Sequence, residues 1–142
     1  MFAKQLTVFI ENRSGRLSEV LNVLKENKVN ILSLSLADTT EFGLLRLIVD
    51  NAQLGKEKLT ENGFSSLLSD VSIIQIAHKV GSLQELLKVI DDNGVNIEYM
   101  YGLSIESEKA YVVLKASNTE KVNEILKENG IRTISSEELA DL

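Results

Sequence analysis

The sequence predicts an α+β fold made of two copies of a β-α-β-β-α-β unit. The first observation is an internal repeat, because an offset of 66 residues separates Gly15 from Gly81 and Asn30 from Asn96. The second is that each copy contains stretches in which apolar and polar residues alternate, as in half-buried strands. The third is that two stretches in each copy carry apolar residues at helical spacing. This order of elements is that of the ferredoxin-like unit.

The first copy opens with an alternating, β-prone strand over Gln5–Ile10. Apolar residues then recur at the i, i+3, i+4, i+7 spacing of an amphipathic helix that Asn27 or Lys28 ends. A polar turn ending in Gly43 predicts a hairpin between the next two strands. The elements expected after the first helix are strands over Asn30–Ala37 and Leu44–Asp50, a helix over Ala52–Asn62 and a strand over Phe64–Leu68.

The second copy repeats the order, and we place the boundary so that the repeats are residues 1–69 and 70–142. A capping box of Ser82 with Glu85 is expected to start its first helix, and Asn118 to cap its second. The expected elements are strands over Val71–Ala77, Val95–Leu103, Lys109–Ala116 and Ile131–Ile134, with helices over Leu83–Asp92 and Val122–Asn129.

The two copies are expected to dock with their sheets side by side. Each copy is near the lower size limit for independent stability, and an open sheet leaves edges that invite pairing. Only Ser69-Asp70 separates the last predicted strand of one copy from the first strand of the next.

Composition excludes several classes of function. The chain has no cysteine and one histidine, which argues against disulfides and against a zinc or copper site, and we expect no cofactor. A net charge of −6 argues against nucleic-acid binding. No apolar run is long enough to span a bilayer, and the start of the chain does not resemble a signal peptide. We therefore expect a cytoplasmic protein with no membrane partner.

The stretch around Gly15 predicts a site for a small zwitterion. It joins a strand to a helix, where the first helical N–H groups have no internal partner and attract anions. Arg13 and Arg16 would reinforce the attraction of a carboxylate. The amides of Asn12 and Asn30 offer donors and acceptors, and the acceptors suit an ammonium group.

The segment Glu11–Ile31, "ENRSGRLSEVLNVLKENKVNI", resembles the opening of an ACT domain, with its E-N-R-P-G-x-L turn, helix and x-N-I strand. The resemblance extends over nearly the whole chain, twice. It is nearest to the amino-acid-sensing domain of phosphoglycerate dehydrogenase and to the small subunits of acetolactate synthase. It implies that Asn12 and Asn30 hold an effector amino acid across a domain interface, with Asn96 in the second copy. Ser14 replaces the usual proline, and His78 takes the place of Asn12 in the second copy.

The expected ligand contacts in the first copy are Asn12, Arg13, Ser14, Gly15, Arg16, Leu17, Asn30 and Ile31. Those expected in the second copy are His78, Gly81, Ser82, Leu83, Asn96 and Ile97. The second site should differ from the first, because Ser82 and Glu85 would occupy amides that a ligand uses. Plainer interpretations stay open: the glycines form turns, Arg16 pairs with Glu19, and Asn30 and Asn96 separate helix from strand.

The leading hypothesis is a regulatory protein that senses a free amino acid at the interface between repeats or subunits. It would be a homodimer, would modulate an enzyme of amino-acid metabolism and would not itself be an enzyme. One alternative is a docking module that has kept the fold but binds no ligand. Another is an acylphosphatase-like hydrolase that uses Arg13 and Asn30, although the fold alone would not decide this.

Overall fold

A computed structural model describes residues 2–38, 41–103 and 109–141. The chain divides into two compact units. The first unit is Lys4–Ser69, and the second runs from Asp70 onward and includes the first residues of the chain. Each unit follows the β-α-β-β-α-β order, which confirms the predicted α+β class and the ferredoxin-like repeat.

The first unit has its strands in the order β2-β3-β1-β4, and β3 pairs antiparallel with both β1 and β2. On β1, alternate residues such as Leu6 and Val8 face the helices, opposite Leu47 and Leu45 of β3. The elements are β1 (Ala3–Glu11), α1 (Arg16–Glu26), β2 (Ile31–Asp38), β3 (Phe42–Val49), α2 (Ala52–Glu61) and β4 (Ser65–Ala77), of which β4 continues into the second unit.

The second unit repeats this arrangement, with strands in the order β5-β6-β4-β7 and antiparallel pairing between neighbours. Asn118 caps α4 as predicted, because its side chain accepts a hydrogen bond from the Lys121 N–H at 3.0 Å. The elements after β4 are α3 (Ser82–Asp92), β5 (Ile97–Leu103), β6 (Lys109–Ala116), α4 (Thr119–Glu128), β7 (Thr133–Ile134) and α5 (Ser136–Ala140).

The predicted break at Ser69-Asp70 is wrong. The two strands expected over Phe64–Leu68 and Val71–Ala77 form the single strand β4. The polar pair does not end the strand, and the Asp70 carbonyl accepts a hydrogen bond from the Lys115 ammonium group at 3.2 Å. The end of one copy and the start of the next therefore share one element.

One exchange of side-chain size distinguishes the two cores. In the first unit Gly55 of α2 lies so close to Leu6 of β1 that an added Cβ would be 3.0 Å from Leu6 Cδ2. Ser72 corresponds to Leu6 at the offset of 66 residues. Val122 corresponds to Gly55 at an offset of 67, because the second copy has one additional residue before this helix. Both are buried. The first unit therefore packs a large strand residue against a small helix residue, whereas the second unit has a small strand residue and a large helix residue at these positions.

Candidate functional site

Residues 12–15 connect β1 to α1 and leave several backbone donors open. Gly15 is the N-cap residue with φ 90° and ψ −16°, a conformation that favours glycine, and no side chain caps the helix. The Arg13 N–H donates to the Glu11 carbonyl at 2.8 Å, which folds the loop back on itself. Within the described chain, the N–H groups of Ser14, Gly15 and Leu17 donate to no protein acceptor. These open amides lie where the sequence analysis expects a carboxylate to bind.

A cavity of about 230 Å³ lies beside this loop. Its polar lining contains an amide, a guanidinium group and two carboxylates, from Asn12, Arg13, Glu11 and Asp38. Its apolar lining comes from Ile10, Leu17 and Leu36, and Gly43 completes the wall. Arg13 Nε donates to Glu11 Oε2 at 3.0 Å, and both side chains remain largely exposed. Groups of both signs at one small cavity can pair with both ends of a zwitterion.

Of the contacts expected in the first copy, the structure places Asn12, Arg13 and Leu17 at the cavity. The others do not line it: Ser14, Gly15, Arg16, Asn30 and Ile31. Sequence analysis missed the other residues of its lining, which are Ile10, Glu11, Leu36, Asp38 and Gly43. The sequence did not reveal the register of the strands, which brings these residues together. In the structure Ile10 and Asp38 both pair with Gly43 at the start of β3.

Arg16 does not point to this cavity. Its guanidinium carbon lies 4.3 Å from the centre of the Phe64 ring, and its Nη1 donates to Glu19 Oε2 at 2.6 Å. Only 17% of the side chain is exposed. The pair with Glu19 confirms the plainer interpretation of Arg16, since packing over an aromatic ring and ion pairing hold the cation in place.

Asn12 and Asn30 of one unit are too far apart to share a ligand, so a ligand held by both would have to lie between two chains. Glu11, next to Asn12, pairs with Phe42 at one end of β3, whereas Ile31, next to Asn30, pairs with Val49 at the other. At about 3.4 Å per residue, these ends lie more than about 20 Å apart.

Asn30 and Asn96 make the same backbone contact in their two units. The Asp50 N–H donates to the Asn30 carbonyl and the Ser117 N–H donates to the Asn96 carbonyl, each at 3.0 Å. Both asparagines are exposed residues at the start of a strand. The residues that follow them, Ile31 and Ile97, are partly buried against the core of their own unit.

The second loop has the backbone of the first but different side chains. Gly81 has φ 89° and ψ −10°, and the Lys79 N–H donates to the Ala77 carbonyl at 3.0 Å. His78 is exposed, and Leu83 is 42% exposed.

The predicted capping box of Ser82 with Glu85 is wrong. Gly81 takes the N-cap position, so Ser82 becomes the first helical residue. Ser82 is buried, and its Oγ has no hydrogen-bond partner in the described structure.

The described residues contain neither a metal-binding cluster nor a helix that could cross a membrane. No group of three or more His, Cys, Asp or Glu side chains is placed to hold a metal ion. Among the helices in this part of the chain, none has the length and apolar character needed to cross a bilayer.

Comparison with known proteins identifies the family. The family model described as "ACT domain pair" matches residues 1–142. The chain belongs to the ACT domain pair family. A crystal structure of protein BT0572 from Bacteroides thetaiotaomicron is similar to it over 100% of this chain and 98% of that one, with 37% sequence identity and a TM-score of 0.94. None of the curated proteins compared with the sequence is significantly similar to it.

Two further structures share the fold of this ACT domain pair. The ligand-free regulatory subunit of aspartate kinase from Thermus thermophilus has 19% identity and a TM-score of 0.61, and the match covers 88% of this chain and 91% of that one. The regulatory subunit from Thermus flavus has 18% identity and a TM-score of 0.57, with coverage of 90% and 93%. The chain is therefore a tandem ACT protein, and these two structures share its fold.

Proposed function

We propose that this ACT domain pair binds a free amino acid beside residues 12–17 and thereby modulates an enzyme of amino-acid metabolism in the cytoplasm. The observation that carries the proposal is the cavity of about 230 Å³ at the start of α1, which Asn12, Arg13 and Leu17 line. The open amides of Ser14 and Gly15 lie between these lining residues in the chain. Open amides at the start of a helix are a favourable place for a carboxylate.

The cavity also offers groups that suit the ammonium group and the side chain of an amino acid. Asp38 and Glu11 offer carboxylate oxygens to an ammonium group, and the Asn12 side chain offers both a donor and an acceptor. Leu17 and Leu36 supply apolar surface for a side chain. A free amino acid needs these features together, whereas an acyl phosphate needs no acceptor for an ammonium group. The structure therefore favours the sensor over the hydrolase.

The direct test is calorimetry of the purified chain against a panel of free amino acids. We expect at least one to bind, and Asn12→Ala to weaken its binding by about tenfold through loss of one hydrogen-bonding group. His78→Ala is the matched control, because His78 holds the corresponding position in the second loop. If every amino acid fails to bind the folded protein, or if both variants weaken binding equally, the proposed site is wrong.

A second variant tests the cavity without disturbing the loop. In Gly43→Ala the new Cβ would lie 3.4 Å from Leu36 Cδ1, inside the proposed cavity. The β-strand should accept this change, because Ala110 holds the corresponding position in the second unit. Gly102→Ala is the control, since a Cβ there meets nothing within 4 Å. We expect Gly43→Ala to weaken binding several-fold and Gly102→Ala to leave it unchanged.

The regulated partner is proposed from the function of similar folds. The structures from Thermus are named as regulatory subunits of aspartate kinase, which is the property of those proteins. For this chain we propose an enzyme of amino-acid metabolism whose activity changes when the ligand favours one packing of the complex. Differential binding of about 1–3 kcal/mol is typical of such coupling.

One observation favours a docking role as the second candidate function. The edge strand β2 exposes Leu34 and Leu36 by 49% and 51%, and Phe42 of the adjacent strand is 52% exposed. Exposed edges with apolar side chains favour pairing with another chain, and we propose a homodimer through this edge. Sedimentation should show a dimer that Leu34→Lys dissociates. If Asn12→Ala and saturating amino acids leave partner binding unchanged, docking without sensing is the better description.

A further inference from the structure

Helix α3 presents an apolar stripe to solvent. Leu83 and Leu87 lie four residues apart on one side of the helix, and both line a shallow groove of about 750 Å³. Leu83 is 42% exposed, and Val80, which precedes the N-cap residue, is fully exposed. Apolar side chains at this spacing form the kind of surface that another helix covers.

The two ends of the groove have opposite charge. Lys79 lines it before the helix begins, and Asp91 and Asp92 line it in the last turn of α3. Asp92 is engaged by Lys88, whose Nζ donates to its Oδ2 at 3.2 Å. Lys79 and Asp91 are exposed, and neither forms an ion pair within the described part of the chain. One positive and one negative group therefore lie at opposite ends of the same apolar stripe.

This pattern is complementary to itself when two copies of α3 pack antiparallel. A two-fold axis level with Glu85 places Leu83 of one copy opposite Leu87 of the other. The same axis places Lys79 of one copy opposite Asp91 of the other, and symmetry repeats each contact. A parallel pair would instead set Lys79 against Lys79 and Asp91 against Asp91, and repulsion at both ends would oppose it.

The first unit is an internal control, because α1 has the same length and the same N-cap conformation as α3 but lacks this charge pattern. At the repeat offset Lys79 corresponds to Arg13, whereas Asp91 corresponds to Lys25. An antiparallel pair of α1 helices would therefore place Arg13 opposite Lys25, with positive charge on both sides of each contact. Of these two helices, only α3 has ends that attract a second copy of itself.

We propose that the groove side of α3 docks antiparallel onto the same helix of a second copy of this chain. Charge complementarity at both ends selects this partner, and Val80, Leu83 and Leu87 supply the apolar contact. The contact is short, because α3 has 11 residues and is roughly 16 Å long. Small interfaces are weak, so we expect a dissociation constant in the submillimolar range. This surface is separate from the proposed edge of β2 and does not depend on amino-acid binding.

The first test uses a single cysteine, since the unaltered chain contains none. Gln84 lines the groove next to the two-fold axis, so Gln84→Cys should bring two thiols within disulfide reach. Ser18 is the exposed residue at the corresponding position of α1, and Ser18→Cys is the matched control. Both are combined with Leu34→Lys, which removes association through the edge of β2. Under mild oxidation we expect Gln84→Cys to form covalent dimers about tenfold faster than Ser18→Cys, because docking raises the effective concentration of the second thiol.

The second test exchanges the charges in the Leu34→Lys protein without a cysteine. Lys79→Asp sets two carboxylates opposite each other at both ends of the contact, and Asp91→Lys sets two ammonium groups there. Each variant should therefore weaken association by about tenfold in sedimentation. The double variant restores opposite charges at each end and should restore association. Neither change threatens the helix, since an acidic residue before α3 and a basic residue in its last turn both suit the helix dipole.

Equal cross-linking of Gln84→Cys and Ser18→Cys would overturn the proposal. So would association that Lys79→Asp leaves unchanged, or that the double variant fails to restore. If the Leu34→Lys protein stays monomeric at submillimolar concentration, a second copy is the wrong occupant and a different protein would have to cover this face of α3. None of the substituted residues lines the cavity of the proposed amino-acid site, so calorimetry with amino acids tests that site separately.

Discussion

The exchange of side-chain size between the two cores predicts that Leu6 and Gly55 are strongly coupled. Leu6 is fully buried, and a Cβ on Gly55 would lie 3.0 Å from Leu6 Cδ2 and 3.4 Å from Leu24 Cδ2. Leu6→Ala removes as many carbon atoms as Gly55→Val adds. The double variant therefore conserves core volume and moves it from strand to helix, as in the Ser72 and Val122 pair of the second unit.

The magnitudes follow from these contacts. Leu6→Ala leaves a cavity and should lower the free energy of unfolding by about 2–5 kcal/mol. Gly55→Val adds three carbon atoms, of which the Cβ already lies 3.0 Å from Leu6 Cδ2. This overpacking should lower the free energy of unfolding by about 1–3 kcal/mol, and the better helix propensity of valine should offset only a small part of the loss. In the double variant the valine methyl groups enter the space that Leu6 vacated. We therefore expect it to be about 2 kcal/mol more stable than the sum of the single effects predicts.

The assay is urea unfolding of the four proteins, followed by circular dichroism and by NMR signals assigned to each unit. The unit-specific signals are needed because the two units can unfold in separate steps, and one unfolding free energy would then be undefined. Leu6→Ala combined with Asn118→Ala is the control, because the two residues lie in different units and their effects should add. If the Leu6 and Gly55 effects also add to within about 0.5 kcal/mol, the packing argument is refuted.

Three further outcomes are expected. Asn118→Ala removes the side-chain cap of α4 and should destabilise the second unit by about 1 kcal/mol in urea unfolding. Lys28 has φ 57°, where the second unit has Gly94, so Lys28→Gly should raise the thermal midpoint, and a lower midpoint would contradict this. The hydrogen bond from Arg132 lowers the pKa of Glu138. The pair therefore stabilises the fold at pH values above the ordinary carboxyl pKa, and this stabilisation is lost as the pH falls through the lowered pKa of Glu138. An NMR pH titration should show the Glu138 pKa rising in Arg132→Gln.

The spacing of apolar residues predicted the helices and strands well, because both copies keep it. The prediction of a helix cap failed where two neighbouring residues could both take the N-cap position. The S-x-x-E pattern forms a capping box at Ser135 and Glu138, as both reciprocal contacts show. The same pattern at Ser82 does not, because Gly81 adopts the left-handed conformation and takes the N-cap position itself. Which residue caps the helix was therefore decided by backbone conformation rather than by side-chain preference.

The candidate site was only partly predictable for a different reason. Asn12 and Arg13 were found because they are adjacent in sequence to the open amides. Asp38 and Gly43 reach the same cavity through strand pairing, and register depends on turn geometry and on the burial of a whole face. Asn30 was joined to Asn12 by resemblance, and the pairing of β3 separates them within one unit. If Asn30 contacts a ligand, that ligand cannot be one bound by Asn12 of the same unit.

The comparison between units shows one loop backbone that carries two different sets of side chains. Gly15 and Gly81 have φ angles of 90° and 89°, so the loops that begin α1 and α3 are conformationally equivalent. The side chains around them differ, since Arg16 packs over Phe64 in the first unit and the corresponding residue of the second unit is the buried Ser82. Ligand preference should therefore follow side-chain exchanges at corresponding positions rather than loop shape. Variants that swap these side chains between units should transfer binding without altering the fold.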